Sequence, residues 1–87
     1  MKLKEEFVTV LNKDSSITVS TDTKLFSGMI RGNETAAFMM KCLEKETSVD
    51  EIVAAVLHEY EADETLVRKD VEDLISKLRS VNAIDEG

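Results

Sequence analysis

Residues 47–60 read TSVDEIVAAVLHEY, and this stretch decides how the second half of the chain folds. Ser48 and Glu51 have the S-x-x-E spacing of a capping box, in which both side chains satisfy free backbone groups at a helix start. The apolar side chains recur at the spacing of one helix face, at Val49, Ile52, Val53, Val56, Leu57 and Tyr60. The stretch therefore predicts an amphipathic helix that begins at Ser48 and ends near Tyr60.

Two further helices flank this one. Asn33 is a suitable N-cap for a helix over residues 34–45, and Asp63 is a suitable N-cap for a third helix. Asn82 is a residue at which the third helix can stop. The apolar face of the first of these helices holds Ala36, Met39, Met40 and Leu43. The inward face of the other holds Val67, Val71, Leu74, Ile75 and Leu78.

The chain before residue 32 has the pattern of short strands instead. Residues 7–11 (FVTVL) are rich in β-branched side chains, residues 17–20 (ITVS) alternate, and the turn residues of segment 12–15 join them as a hairpin. Residues 25–31 (LFSGMIR) are predicted as a third strand, in which Gly28 marks a bulge or a close backbone approach. The sequence thus predicts an α+β, winged helix-turn-helix-like fold, with a three-stranded antiparallel sheet followed by three helices.

Charge and hydropathy exclude several classes of partner. The 87 residues hold 11 Lys+Arg and 18 Asp+Glu, a formal net charge of −7, and residues 44–87 alone carry −8. Nucleic acids and anionic membranes are bound through clustered Lys and Arg, so we expect neither as a partner. No apolar run approaches the roughly 20 residues of a membrane span, and no apolar signal segment follows Lys2 and Lys4. We therefore expect a cytoplasmic protein.

Candidates for catalysis are few. His58 lies opposite the apolar face of its helix, so we expect it to be exposed to solvent. Cys42, the single cysteine, is expected to be a small, partly buried hydrophobe, with Glu44 and Glu46 raising the pKa of its thiol. The acidic residues lack the order of a calcium-binding loop, and the glycines lack that of a phosphate-binding loop. The sequence predicts no enzyme, no cofactor and no metal site.

Three segments carry a resemblance to a known family: residues 32–38 (GNETAAF), the helix start at residues 47–53 (TSVDEIV), and the helix end at Tyr60. Together they resemble the pyrroloquinoline quinone biosynthesis protein D (PqqD) family, whose fold also serves as the precursor-peptide recognition element of ribosomally made, modified peptides. The likeness follows the order of elements over most of the chain. The family pattern is Leu-Asn-x-Thr-Gly, and here Gly32 replaces the Leu and Ala36 the Gly. The quinone pathway and another peptide-modifying pathway both stay open.

The resemblance implies that residues 1–87 form one non-catalytic domain. It implies binding of the leader segment of a ribosomally made precursor peptide, for presentation to a maturation enzyme, often a radical SAM enzyme. In this family the leader adds as a strand along the third strand, beside the third helix. The peptide-binding residues expected on the strand are Leu25, Phe26, Ser27, Gly28, Met29 and Ile30. Those expected on the helix are Leu66, Asp70, Asp73, Leu74 and Lys77.

Several alternatives stay open at this point. Leu66 either forms part of the groove wall or merely widens the core face of the third helix. The charge of −8 in residues 44–87 leads to the hypothesis that the peptide or its enzyme presents Lys or Arg. The alternative functions are a winged-helix DNA-binding regulator and a purely structural interaction domain. An exposed strand edge also makes a homodimer compatible with the sequence.

Overall fold

The computed structural model of the chain describes residues 1–12, 15–21 and 29–86, with the backbone alone at residues 29 and 30. The strands are β1 (Lys2–Leu3), β2 (Phe7–Leu11), β3 (Ser15–Ser20), β4 (Met29–Asn33) and β5 (Ile84–Asp85). The helices are α1 (Glu34–Cys42), α2 (Val49–Glu59) and α3 (Glu64–Ser80). The prediction of an α+β fold, with a three-stranded antiparallel sheet followed by three helices, is confirmed.

The main sheet has β3 in the middle, with β2 on one side and β4 on the other. The predicted hairpin is confirmed, because Phe7 of β2 lies opposite Ser20 of β3 in an antiparallel pair. β4 is antiparallel to β3 as well, with Asn33 opposite Ser15. Among the described residues β4 pairs on one side only, so its other side is an open sheet edge.

Two strand boundaries differ from the predictions. β3 begins at Ser15, which the sequence pattern assigns to the turn. β4 runs to Asn33, past the predicted end at Arg31, because Gly32 and Asn33 continue the ladder along β3. The predicted strand residues 25–28 lie outside the described residues.

The first helix is shorter than predicted. α1 ends at Cys42, with Leu43 as its C-cap, whereas the pattern predicts an end at Lys45. The side chain of Leu43 is fully buried, and its carbonyl oxygen accepts a hydrogen bond of 3.0 Å from the Leu3 N–H. The backbone of β1 is therefore hydrogen-bonded to Leu43, the residue at which α1 ends.

A small second sheet has no counterpart in the predictions. β1 and β5 pair antiparallel, with Lys2 opposite Asp85 and Leu3 opposite Ile84. The Lys4 N–H also donates to the Ala83 carbonyl at 2.8 Å. This sheet joins the two ends of the described chain.

The two faces of the main sheet have opposite characters. Ser16 and Thr18 are buried on the face that packs against α1, and the Thr18 and Thr9 hydroxyls hydrogen-bond at 2.9 Å. On the opposite face Val8 and Val10 are 44% and 54% exposed. Small polar side chains let α1 approach the sheet closely, and no buried side-chain nitrogen or oxygen among the described residues lacks a hydrogen-bond partner.

The core lies where the three helices meet. α2 and α3 pack together through their apolar faces, and α1 closes the core toward the sheet. The buried apolar cluster comprises Phe7, Met39, Met40, Leu43, Ile52, Val53, Val56, Val67, Val71, Ile75, Leu78, Ala83 and Ile84. Of the apolar positions predicted for α2, Ile52, Val53 and Val56 are buried, whereas Val49, Leu57 and Tyr60 are partly buried against the cluster. All the positions predicted for α3 are buried except Leu74, which is partly buried.

The predicted starts of α2 and α3 and the predicted end of α3 are confirmed by their hydrogen bonds. The Glu51 N–H donates to the Ser48 hydroxyl oxygen at 3.2 Å, and the Thr65 N–H donates to the Asp63 carboxylate at 2.8 Å. Asn82 has a φ of 59°, in the left-handed region, and its N–H donates to the Arg79 carbonyl at 2.9 Å. An Asn at this position ends α3 in the Schellman manner.

Gly32 and Ala36 form the tightest contact between β4 and α1. A Cβ added at Gly32 would lie 2.7 Å from the Ala36 Cβ and 2.9 Å from the Ser16 hydroxyl oxygen. The helix fixes the Ala36 Cβ, so the residue at position 32 must lack a side chain for α1 to sit at this distance. The two positions at which the chain differs from the family pattern are therefore neighbours in space.

Gly32→Ala is expected to lower the free energy of unfolding by about 1–3 kcal/mol, because the added methyl overpacks the contact with Ala36. In the presence of Ala36→Gly, the same substitution is expected to cost much less. Urea unfolding of both single variants and the double variant measures this coupling. If Gly32→Ala lowered the free energy of unfolding by the same amount with and without Ala36→Gly, the two residues would not be coupled.

Candidate functional site

A groove of ≈ 250 Å³ lies between the start of α1 and the middle of α3. We call it the α1–α3 groove. Its lining residues are Asn33, Thr35, Ala36, Met39, Asp70, Asp73 and Leu74. Since Asn33 is also the last residue of β4, the groove begins where the open edge strand ends.

The α3 wall of the groove follows from the way this helix is packed. Val71 and Ile75 are buried against the rest of the core, which fixes the rotation of α3. Asp70, Asp73 and Leu74 lie on one flank of that buried stripe because a helix turns by about 100° per residue. The two carboxylates are exposed and Leu74 is half-buried.

The α1 wall depends on the junction between β4 and α1. The Asn33 side chain is the N-cap of α1, and its Oδ1 accepts a hydrogen bond of 2.9 Å from the Ala36 N–H. Met39 is 3% exposed and belongs to the core, so it forms the floor of the groove. Thr35 and Ala36 are half-buried at its side. Asn33 therefore connects the end of β4 directly to the start of α1.

The groove carries negative charge. The carboxylates of Asp70 and Asp73 make no hydrogen bond or ion pair within the described part of the chain. Lys77 lies one helical turn after Asp73, yet forms no ion pair with it there. Two carboxylates near an open strand edge favour a ligand that brings a positive charge.

The arginines of α3 are engaged elsewhere. Arg68 donates to the Asp50 carboxylate of α2 at 2.8 Å, and this hydrogen bond raises the pKa of its guanidinium. Arg79 donates to Glu86 at 2.8 Å, which raises the pKa of Arg79 and lowers that of the Glu86 carboxyl. Neither guanidinium neutralises the α1–α3 groove.

Of the helix residues predicted to bind peptide, Asp70, Asp73 and Leu74 are brought together in the groove. Leu66 and Lys77 are exposed on the same flank of α3, beyond the two ends of the groove lining. Leu66 is 61% exposed, so the interpretation that it widens the core is wrong.

The predicted strand residues divide into two groups. Met29 and Ile30 belong to β4, opposite Val19 and Thr18 of β3. The other four, Leu25, Phe26, Ser27 and Gly28, lie outside the described residues. A peptide role for any of the six residues stays a prediction.

The α1 wall of the groove was not predicted from the sequence. Asn33 is identified there only as a helix cap, and Ala36 and Met39 only as core positions. One feature of the sequence indicates this wall, namely that the third predicted strand leads directly to the helix cap at Asn33. A strand that runs straight into a helix through its cap residue brings the first turn of that helix beside the strand edge.

Cys42 and His58, the two residues considered for catalysis, lie away from the groove lining. His58 is exposed, as predicted. Cys42 is half-buried beside the core, also as predicted, and its thiol pKa is raised. The cause is burial rather than the neighbouring glutamates, and nearby Lys41 acts in the opposite direction.

Other clefts at the surface differ in character. A cleft of ≈ 360 Å³ between β1 and β2 is lined by Lys2, Leu3, Lys4, Glu5, Phe7, Val8, Thr9 and Glu44. A smaller cleft of ≈ 180 Å³ lies beside the edge-to-face pair of Phe38 and Tyr60, whose centroids are 5.7 Å apart. Burial raises the pKa of the Tyr60 hydroxyl, and Glu34 and Glu59 add to this effect.

The described residues contain neither a metal-binding cluster nor a membrane-spanning helix. No group of three or more His, Cys, Asp or Glu side chains is arranged to hold a metal ion there. In that same part of the chain, no helix has the length and apolar character needed to cross a membrane.

The element order, the open edge of β4 and the adjoining groove define a winged helix-turn-helix-like α+β domain. The family model described as "Coenzyme PQQ synthesis protein D (PqqD)" matches residues 8–84, and the chain belongs to this family. The solved structure of TbiB1 in complex with the TbiA(beta) leader peptide is similar, with a TM-score of 0.82 and 21% identity over 100% of this chain and 98% of that chain. At that identity the likeness shows the fold. The curated proteins contain no match.

Alkylation of Cys42 by iodoacetamide is expected to be slower in the folded protein than in the urea-unfolded protein. A raised thiol pKa leaves less thiolate at a given pH, and burial also limits access. Because the chain has one cysteine, the mass of the intact protein reports this site alone. Equal rates in the two states would show that Cys42 is a freely reactive thiol.

Proposed function

We propose that this PqqD-family chain is a peptide-recognition domain for the leader of a ribosomally made precursor peptide. The leader adds as a strand to the open edge of β4 and is presented to a modifying enzyme. One observation carries the proposal: the edge strand is unpaired on one side among the described residues and ends at the α1–α3 groove. Support also comes from TbiB1, a protein of similar fold that is bound to a leader peptide.

Strand addition suits the chemistry of an open edge. Each strand residue other than proline carries one backbone N–H and one carbonyl, and β4 contains no proline. An added strand hydrogen-bonds to these groups whatever its side chains are, so the edge contributes affinity without selecting a sequence. Selection then depends on side chains beside the edge.

The α1–α3 groove is where that selection takes place. It is continuous with the end of β4 through Asn33, and its opposite wall is the flank of α3 that carries Asp70, Asp73 and Leu74. Side chains on alternate positions of an added strand point to the same side. One set of leader side chains therefore faces the groove, and the other set faces away from it.

The domain acts by binding, and the modifying enzyme supplies the chemistry. In our proposal the chain has no catalytic activity, and its partner enzyme is of the radical SAM type found beside PqqD proteins. Cytoplasmic location is part of the same proposal, because precursor and enzyme meet where both are made. The negative surface of residues 44–87 favours a peptide or enzyme that presents Lys or Arg.

The alternative function, a DNA-binding regulator, finds no support in the comparisons. A recognition helix needs an excess of positive charge where it meets phosphates. α2 contains no Lys or Arg, and the two arginines of α3 are paired with Asp50 and Glu86. A gel shift on random duplex DNA at low salt is expected to show no complex.

The test of the proposed function is an amide NMR titration of the labelled domain with the small precursor peptide encoded beside its gene. The expected shifts concentrate in residues 29–33 and in residues 66–77, because strand addition changes the hydrogen bonds of β4 and fills the groove. An unperturbed, well-dispersed spectrum would contradict the proposal for that peptide.

Backbone methylation of the peptide is the matched control for strand addition. Methyl groups on every second amide remove the hydrogen bonds to β4 in one register, whereas methyl groups on the intervening amides point away from the edge. One methylated peptide is expected to lose binding and the other to retain it. Equal affinities would show that the peptide does not bind as a strand.

A homodimer is proposed as a second use of the open edge, since an unpaired strand edge also accepts the edge of another copy. We expect sedimentation velocity to show a mean coefficient that rises with protein concentration and falls when the precursor peptide is added. A coefficient independent of concentration would contradict this dimer.

A further inference from the structure

The flank of α3 that forms one wall of the α1–α3 groove, together with Leu66 beyond its end, carries an alternation of apolar and acidic side chains. Leu66 comes first and is 61% exposed, so its side chain is accessible to a ligand. Asp70 follows one turn later, and half-buried Leu74 one further turn along, with Asp73 beside it. The order along the flank is therefore apolar, acidic, apolar.

No basic side chain among the described residues pairs with the two acidic side chains of this flank. Asp70 and Asp73 have no ion pair within the described residues, and both arginines of α3 contact other acids. A ligand that places a Lys or Arg between the two leucines would provide the missing charge. Phosphate-bearing ligands would be repelled from the same place.

The spacing of the flank matches that of an extended peptide. Four residues of α-helix rise about 6 Å, so Leu66, Asp70 and Leu74 follow one another at nearly equal steps. Two residues of a β-strand advance about 6.6–6.8 Å and return the side chain to the same side. Three alternate side chains of one strand can therefore meet the three levels of this helix flank in order.

We propose that the peptide strand bound at the edge of β4 carries three selected side chains, at every second position of the strand. The first is apolar and faces Leu66, and the second is basic and faces Asp70 and Asp73. The third is apolar and faces Leu74. This inference rests on the proposed function and adds the sequence signature of the ligand. The signature is apolar-x-Lys/Arg-x-apolar. Backbone pairing supplies affinity along the edge, and these three side chains select the peptide.

The test is selection of a random short-peptide library displayed on messenger RNA against the immobilised domain. The enriched peptides are expected to contain the signature, with Lys or Arg at its middle position. Enriched peptides without a basic middle residue would overturn this inference and leave strand addition intact. Failure to enrich any peptide would overturn the proposed function and this inference with it.

A charge-reversal variant tests directly whether the two aspartates select the middle residue of the peptide. In the Asp70→Lys, Asp73→Lys double variant, the preferred middle residue is expected to change from Lys or Arg to Asp or Glu. A peptide selected on the unmodified domain is expected to bind this variant at least about fivefold more weakly. Glu72→Lys is the control, because Glu72 is exposed on the opposite side of α3 and should leave the preference unchanged.

The first apolar position of the signature, which faces Leu66, is tested in the same way. Leu66→Ser is expected to remove the preference for an apolar first residue and to weaken a selected peptide about threefold to tenfold. Val10→Thr is the control, since Val10 is similarly exposed but lies on the outer face of the sheet. An unchanged preference after Leu66→Ser, or after both aspartates are reversed, would show that the flank does not select the peptide.

Discussion

The junction at Gly32 and Asn33 sets the geometry on which the candidate site depends. Asn33 is both the last residue of β4 and the N-cap of α1. Its side chain caps the helix by accepting a hydrogen bond of 2.9 Å from the Ala36 N–H. Gly32 lets Ala36 and Ser16 approach to distances that no side chain there would allow. If this junction were looser, α1 would move away from the sheet, and the edge and the groove would no longer be continuous.

The helices could be predicted from the sequence because each carries two independent signals. Apolar periodicity indicates the buried face, and Ser48, Asp63 and Asn82 mark ends that the hydrogen bonds confirm. The β1–β5 pair could not be predicted, since two residues carry no periodic pattern. Nor does alternation in β3 indicate which face is buried. Contact with α1 decides this, and it buries hydroxyls rather than valines.

The candidate site was predictable on one wall only. A helical wheel brings Asp70, Asp73 and Leu74 to one flank of α3 once the core stripe is known, because local geometry fixes their relative directions. Asn33 and Ala36 meet that flank through tertiary packing, which no local pattern encodes. Leu66 shows the same limit of prediction from sequence. Only the packed structure shows that its side chain lies outside the core.

In the proposed function, separate parts of the molecule supply affinity and selectivity. The β4 edge offers backbone groups that substitution hardly alters, whereas Leu66, Asp70 and Asp73 on the α3 flank are exposed and lie outside the buried core. Substitutions on an exposed helix flank usually change stability by less than about 0.5 kcal/mol. Residues such as Leu66 and Asp70 can therefore change without loss of the fold. A recognition domain built in this way can serve different precursor peptides by altering a few side chains on α3, while the strand edge and its junction with α1 stay the same.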